Sequence, residues 1–199
     1  MAIITIGITG HRRLDELDKI MTGVECAVKQ IIEAFPDSNF RVLSSLAEGA
    51  DQILAKRLLL ISFSTLWVPL PLPKEEYIKD FKTSQSKAEF IDLLGKAERV
   101  ICMPEMNKRE YAYLAAGKYV VDNCDLLMAV WDGAPAQGIG GTAEIVSLAR
   151  NRQMPIANIH ARNHLPGTLI ATSLGYKQGE VTFENFPPSS GCNCSSSFG

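Results

Sequence analysis

A glycine-rich stretch at residues 131–144 (WDGAPAQGIGGTAE) contains the residue types that bind phosphate. The glycines just ahead of its predicted helix are Gly138, Gly140 and Gly141. Glycines at this position leave backbone N–H groups free to surround a phosphate, and the positive end of the helix dipole favours the same anion. Thr142 can cap the helix or bond the phosphate. Glu144, in the first helical turn, is either a carboxylate that offsets the dipole or a catalytic one. We therefore expect this stretch to bind a ligand.

A second stretch, residues 7–13 (GITGHRR), follows the first predicted strand and carries two arginines. Gly10 permits a closer approach of the backbone to a ligand than a residue with a side chain would. His11 can donate a hydrogen bond, and Arg12 and Arg13 can form charge-assisted hydrogen bonds to phosphate. The alternative is a tight turn with solvated arginines. Glycines and basic residues occur together in this stretch, at a place where the fold is expected to bind ligands. We therefore predict that residues 7–13 contribute to ligand binding.

Carboxylates and hydroxyls in two further places can contact the sugar of a nucleotide. Residues 44–51 (SSLAEGAD) form a turn of small residues that leads into a predicted helix. Within it, Ser45 offers a hydroxyl group, and Glu48 or Asp51 can accept hydrogen bonds from ribose hydroxyls. Asp51 can alternatively serve the N-terminus of the helix, where a carboxylate is favourable. Asp132 follows a buried strand and can contact the same hydroxyls.

Alternating strands and helices must position these three loops. Apolar, β-branched runs predict strands at residues 3–8, 40–43, 65–68, 100–102, 125–130, 155–159 and 180–186. Helical patterns occur at residues 15–35, 50–61, 74–81, 86–97, 108–121 and 140–151. This alternation implies a Rossmann-like three-layer α/β sandwich with a mostly parallel central sheet. Ligands of such sheets bind beyond the carboxyl ends of the strands, so the three loops should converge there. The third strand is expected to end before Pro69.

The chain divides into a Rossmann-like nucleotide-binding domain at residues 1–160, a C-terminal extension at 161–188 and a tail at 189–199. The extension could complete the sheet edge or cover a neighbouring subunit. The tail is rich in Ser and Gly and is expected to be disordered. Its Cys192 and Cys194 form a lone C-x-C pair, which lacks the other two ligands of a metal site. The sequence therefore indicates no metal and no cofactor.

The overall charge argues against general nucleic-acid binding. Lys and Arg number 20 against 22 Asp and Glu, a formal net charge of −2, whereas nucleic-acid-binding proteins need a basic face. No apolar run reaches the roughly 18 residues that suggest a membrane span, and the N-terminus carries no export signal. Cys26, Cys102 and Cys124 lie in apolar contexts typical of reduced cysteines. Together these features predict a cytoplasmic protein with no membrane partner.

The three loop motifs together resemble the SLOG superfamily, a Rossmann-like group that includes the Lonely guy enzymes and the DNA-processing protein A domain. The motifs are GITGHR at residues 7–12, LAEGAD at 46–51 and GIGGTAE at 138–144, and the resemblance covers residues 3–159. It implies a nucleotide-type ligand and a homodimer. Lonely guy enzymes hydrolyse the N-glycosidic bond of a nucleoside monophosphate. Other members resemble sensors of nucleotide signals, or carriers that bind a pterin nucleotide.

The glycine-threonine motif departs from that of the Lonely guy enzymes. Their catalytic Glu stands three positions after the Thr and acts with an Arg, whereas Ile145 occupies that position here and Glu144 is one residue early. One helical position is a rotation of about 100°, so Glu144 need not point where the enzyme's Glu does. We therefore predict a module that senses or carries a nucleotide or nucleotide-derived molecule. The alternative is a nucleoside 5′-monophosphate N-glycosidase that uses Glu144, or Glu48, with Arg12.

Overall fold

The computed structural model describes residues 2–136, 138–164 and 168–187. The strands are β1 (Ala2–Gly10), β2 (Ser38–Leu43), β3 (Thr65–Leu70), β4 (Arg99–Cys102), β5 (Leu126–Trp131), β6 (Ile156–His160) and β7 (Val181–Glu184). The α-helices are α1 (Leu17–Ala34), α2 (Ala50–Leu58), α3 (Lys74–Tyr77), α4 (Ser84–Gly95), α5 (Arg109–Asp122) and α6 (Thr142–Asn151). Each predicted element is present, with bounds that differ by a few residues. Strand β1 runs to Gly10, two residues past its predicted end, and the helix expected at 74–81 divides into α3 and a 3-10 turn, Ile78–Asp80.

All seven strands belong to one sheet with the order β4-β3-β2-β1-β5-β6-β7. The first six run parallel, and β7 is antiparallel to β6. Helices α1, α2 and α4 contribute to the hydrophobic core on one face, and α5 and α6 contribute to the core on the other. Strand β5 is buried at every residue, as expected for a parallel strand covered on both faces. The predicted Rossmann-like three-layer sandwich with a mostly parallel sheet is confirmed.

The strand order reverses direction at β1. From β1 the chain adds β2, β3 and β4 on one side and later adds β5 and β6 on the other. The loops after β1 and β5 therefore leave the sheet towards opposite faces and open a crevice between them. Such a switch point is where open α/β sheets bind ligands, so the topology alone points to the carboxyl ends of β1 and β5.

Strand β3 extends two residues beyond its predicted end, through Pro69 to Leu70. The carbonyl oxygen of Trp67 accepts the N–H of Ser44 at 3.2 Å, so the backbone polar groups of Trp67 face β2. Alternate residues of a strand face the same neighbour, so the backbone of Pro69 faces the β2 side as well. Strand β2 ends at Leu43, which lies opposite Trp67. Because no strand lies beside the missing N–H of Pro69, no ladder hydrogen bond is lost. The prediction that the strand ends before Pro69 is therefore wrong.

The C-terminal extension supplies β7 and thereby completes one edge of the sheet. It also contacts α1, because Gly179 approaches the backbone of Lys19 so closely that a Cβ at position 179 would lie 2.2 Å from the Lys19 carbonyl oxygen. The tail at 189–199, with Cys192 and Cys194, lies outside the described residues. None of the helices in the described ranges combines the length and apolar character needed to cross a membrane.

Candidate functional site

A cleft of about 410 Å³ lies at the carboxyl ends of β1 and β5. Its volume falls within the range of small-molecule sites, roughly 300–1,000 Å³. All three predicted loops contribute to it. Of the candidate ligand-binding residues, the cleft is lined by Gly10, His11, Arg12, Ser45, Asp51, Asp132, Gly138, Gly140, Gly141 and Thr142. Glu48 and Glu144 are not among the lining residues, and the structure gives each a different partner.

The loops after β1 and β2 are joined backbone to backbone. The carbonyl oxygen of His11 accepts the N–H of Ala50 at 3.1 Å, and the N–H of His11 donates to the carbonyl oxygen of Val130 at 3.0 Å. Gly49 has a φ of 90°, and a Cβ there would lie 2.3 Å from the carbonyl oxygen of Arg12. Gly49 is therefore required by the packing of these two loops rather than by contact with a ligand.

His11 and Asp132 connect the ends of β1 and β5. The backbone N–H of Asp132 donates to Nε2 of His11 at 3.2 Å, and an Asp132 carboxylate oxygen lies 3.4 Å from the same nitrogen. Burial lowers the pKa of His11 and outweighs the opposing effect of Asp132, which favours a neutral ring. An Nε2 that accepts a hydrogen bond leaves the ring proton on Nδ1. His11 is thus a neutral group that ties the end of β1 to Asp132.

The Arg12 side chain is exposed and extends over the ring of Tyr113, with the guanidinium carbon 5.1 Å from the ring centroid. Within the described residues, no carboxylate lies within ion-pair distance of this guanidinium. Tyr113 is itself held by a hydrogen bond to Asp80, which Arg109 contacts at 2.8 Å. The contact with Tyr113 orients the guanidinium, whose charge is available to an anion because no carboxylate neutralises it.

The glycine-rich loop contains one glycine that the fold requires and two that it does not. Gly140 has a φ of 76°, and a Cβ there would lie 2.8 Å from the carbonyl oxygen of Glu110 in α5. A Cβ at Gly138 or Gly141 would meet no atom of the described residues within 4 Å. The unfilled space beside these two glycines borders the cleft and is available to a ligand.

Two carboxylates that the sequence singled out lie outside the cleft. An oxygen of Glu144 accepts the N–H of Gly140 at 2.8 Å and so closes the glycine-rich loop onto the first turn of α6. Glu48 accepts the Ser86 hydroxyl at 2.7 Å and the N–H of Lys82 at 3.1 Å, near the start of α4. The sequence treated both as groups that contact the ligand or the reacting bond. The structure uses both to hold loops in place.

Asp51 lines the cleft and is nevertheless 6% exposed. Its Oδ2 accepts the hydroxyl of Ser44 at 2.9 Å. Burial raises the pKa of Asp51 from its ordinary 3.8 to about 6, against the opposing effects of Ser44, the Ala47 backbone and the Arg12 charge. A buried carboxylate with a raised pKa in a cleft is characteristic of functional sites.

We expect Asp51→Asn to stabilise the protein at pH 8 and not at pH 4. The pKa is higher in the folded state, so the cost of ionising Asp51 is absent below pH 3.8 and complete above pH 6. The shift corresponds to about 3 kcal/mol, of which an unsatisfied amide would cancel a part, leaving a gain on the order of 1–3 kcal/mol. Chemical unfolding at both pH values measures it, with exposed Asp92→Asn as the control. An equal effect at both pH values would contradict the assignment.

Two tyrosines, Tyr77 and Tyr113, line the cleft although they lie outside the three loop motifs. Tyr113 carries the Arg12 contact. Tyr77 is 1% exposed, and its ring packs edge-on against Phe81 and Phe90. No local sequence signal marks either hydroxyl as part of a site, because both come from segments far from the glycine motifs.

A scan against protein-family models and a search of curated proteins each found no match to this chain.

Proposed function

We propose that the cleft binds a nucleotide or nucleotide-derived small molecule, and that the protein senses or carries this ligand. The observation that supports this most is that one cleft is lined both by an arginine with no carboxylate partner among the described residues and by the start of a helix. Arg12 approaches from the loop after β1, and Thr142 begins α6 on the opposite wall. We propose, on its three motifs, that the chain is a SLOG superfamily member and, by the same resemblance, a homodimer.

The phosphate of this ligand would bind at the start of α6. No hydrogen bond joins the backbone N–H groups of Thr142 and Ala143 to another residue in the described ranges. These groups are the free donors of a helix N-terminus, where the helix dipole also favours an anion. Arg12 would supply the countercharge from the other wall. The two glycines without close neighbours, Gly138 and Gly141, would allow the phosphate to approach the backbone.

A role in binding is better supported than N-glycosidic hydrolysis. Hydrolysis needs a carboxylate close to the anomeric carbon to stabilise the charge that develops on the sugar. The two candidates for that group, Glu144 and Glu48, bond to Gly140 and Ser86 instead and do not line the cleft. Of the residues proposed for catalysis, only Arg12 is in the cleft.

The proposal is tested by mass spectrometry of small molecules released from the purified protein, before and after incubation with nucleoside 5′-monophosphates. We expect an intact nucleotide to be released and no free base to form. Formation of free base and ribose 5-phosphate that stops on Arg12→Ala would contradict a sensor or carrier. The absence of any bound nucleotide in every sample would contradict the binding proposal itself.

Gly141→Ala should weaken nucleotide binding at least about tenfold while lowering the thermal unfolding temperature by only about 2–4 °C, the cost of alanine in place of glycine at the N-cap of α6. The backbone of Gly141 (φ −84°, ψ 166°) can accommodate alanine, and the added methyl group meets no atom in the part of the chain that the structure describes. It would instead occupy the space through which the phosphate reaches the N–H groups of α6. Titration calorimetry measures the effect. Gly95→Ala, also in open space but outside the cleft, is the matched control. Unchanged affinity would place the phosphate elsewhere.

A further inference from the structure

One polar group in the cleft wall belongs to a buried tyrosine, Tyr77. Tyr77 lines the cleft and is 1% exposed, yet no hydrogen bond to its hydroxyl occurs among the described residues. The ring itself is fixed, with centroids 5.1 Å from Phe81 and 5.6 Å from Phe90. Buried tyrosine hydroxyls normally have a partner, so a group that enters the cleft is the natural one.

The residues around the Tyr77 hydroxyl determine which kind of ligand group can bond to it. Burial, and after it the charge of Asp51, raises the pKa of Tyr77 well above its usual value, while Arg12 opposes the shift. Tyr77 therefore stays protonated and can both donate and accept a hydrogen bond. The Asp51 carboxylate has one oxygen bonded to Ser44 and can only accept further bonds when it is ionised.

A phosphate does not suit this corner of the cleft. An ionised Asp51 repels an anion, and the N–H donors of α6 provide a better place for it. A nucleobase edge that binds a carboxylate with two parallel N–H groups uses both carboxylate oxygens, and this carboxylate already accepts from Ser44 and the Ala47 backbone. A pair of neighbouring hydroxyls fits better, because one hydroxyl can donate to Asp51 while its neighbour accepts the single Tyr77 proton.

We propose that Tyr77 and Asp51 together recognise the 2′- and 3′-hydroxyls of a ribose, so that the cleft selects ribonucleotides over 2′-deoxyribonucleotides. This selectivity rests on the proposed function, because it assumes that a nucleotide occupies the cleft. Loss of the 2′-hydroxyl removes one donor and leaves the buried Tyr77 hydroxyl or the Asp51 carboxylate without its partner. A site that hydrogen-bonds a substrate hydroxyl rejects the analogue that lacks it for this reason.

The test is titration calorimetry with the four ribonucleoside 5′-monophosphates, their 2′-deoxy counterparts and inorganic phosphate, at pH 7.5. We expect the protein to bind the preferred ribonucleotide at least about tenfold more tightly than its deoxy form. Tyr77→Phe and Asp51→Asn should each bring that ratio close to one. Tyr111→Phe, a tyrosine that does not line the cleft, is the matched control and should retain the ratio. Thermal unfolding confirms that each variant folds. If Tyr77→Phe does not fold, Asp51→Asn alone provides the test.

The outcomes separate the two proposals. Equal affinity of the wild-type protein for ribo and deoxy forms overturns the ribose assignment and leaves the proposed function standing. A variant that changes the preference among bases, with the ribo-to-deoxy ratio intact, also overturns it, in favour of contact with a base edge. Failure of every nucleotide to bind, with or without binding of inorganic phosphate, overturns the proposed function and the ribose assignment together.

Discussion

Replacement of Arg12 by alanine is expected to weaken nucleotide binding about 100-fold. A hydrogen bond to a charged group contributes roughly 1.5–3 kcal/mol, and each 1.4 kcal/mol is a tenfold change in affinity. Arg12 is the cleft-lining residue whose guanidinium has no carboxylate partner within the described ranges, so its charge is available to the phosphate. Titration calorimetry at two salt concentrations measures the loss, and the wild-type affinity should fall with salt more steeply than that of the variant.

Arg13 provides the control for this prediction. It is adjacent in the chain and exposed, and it does not line the cleft. Arg13→Ala should therefore leave the affinity within about threefold of wild type. Arg12→Lys should recover only a part of the binding, because lysine lacks the planar pair of donors and the stacking on Tyr113. If Arg13→Ala weakens binding as much as Arg12→Ala does, the contribution of Arg12 is only general electrostatic attraction.

The fold was predictable because its signals are local and repeated. Strand β5 reads as a continuous apolar run, and burial on both faces of a parallel sheet requires such a run. Helix α1 shows its periodicity through Ile20, Val24, Ala27 and Ile31, all of them buried. The location of the cleft followed, because carboxyl ends of parallel strands share one edge. The end of β3 was predicted wrongly at Pro69. A proline in a strand costs a hydrogen bond only where a neighbouring strand would have accepted its N–H, and the local sequence does not specify that neighbour.

The individual contributions to the cleft were less predictable because side-chain direction depends on tertiary contacts. Glu144 stands beside the glycine motif in sequence, but its carboxylate turns back to the N–H of Gly140. Glu48 reaches a helix that begins 36 positions later, at Ser84. Tyr77 enters the cleft wall from a segment with no sequence link to the motifs. The glycine-rich motif therefore predicted where the backbone N–H donors lie. The side chains around those donors depend on tertiary contacts that the motif does not contain.

Gly49→Ala is expected to destabilise the protein by at least about 3 kcal/mol. Gly49 has φ 90° and ψ −121°, a conformation that costs a residue with a side chain on the order of 1–3 kcal/mol. In addition, the new Cβ would lie 2.3 Å from the carbonyl oxygen of Arg12 and 2.7 Å from that of His11. Relief of this overlap requires the loops after β1 and β2 to separate, which breaks the hydrogen bond between Ala50 and His11.

Gly49→Ala should also weaken nucleotide binding by the protein that still folds, because Gly49 controls the position of the backbone that carries Arg12. At 2–4 °C per kcal/mol for a chain of this size, the unfolding temperature should fall by about 10 °C. Thermal unfolding measures this fall, and Gly138→Ala, whose Cβ meets no neighbour, should change stability by less than about 0.5 kcal/mol. A Gly49→Ala variant as stable as wild type would mean that the two loops can separate at little cost. Arg12 would then be held by its contact with Tyr113 rather than by the junction of the loops.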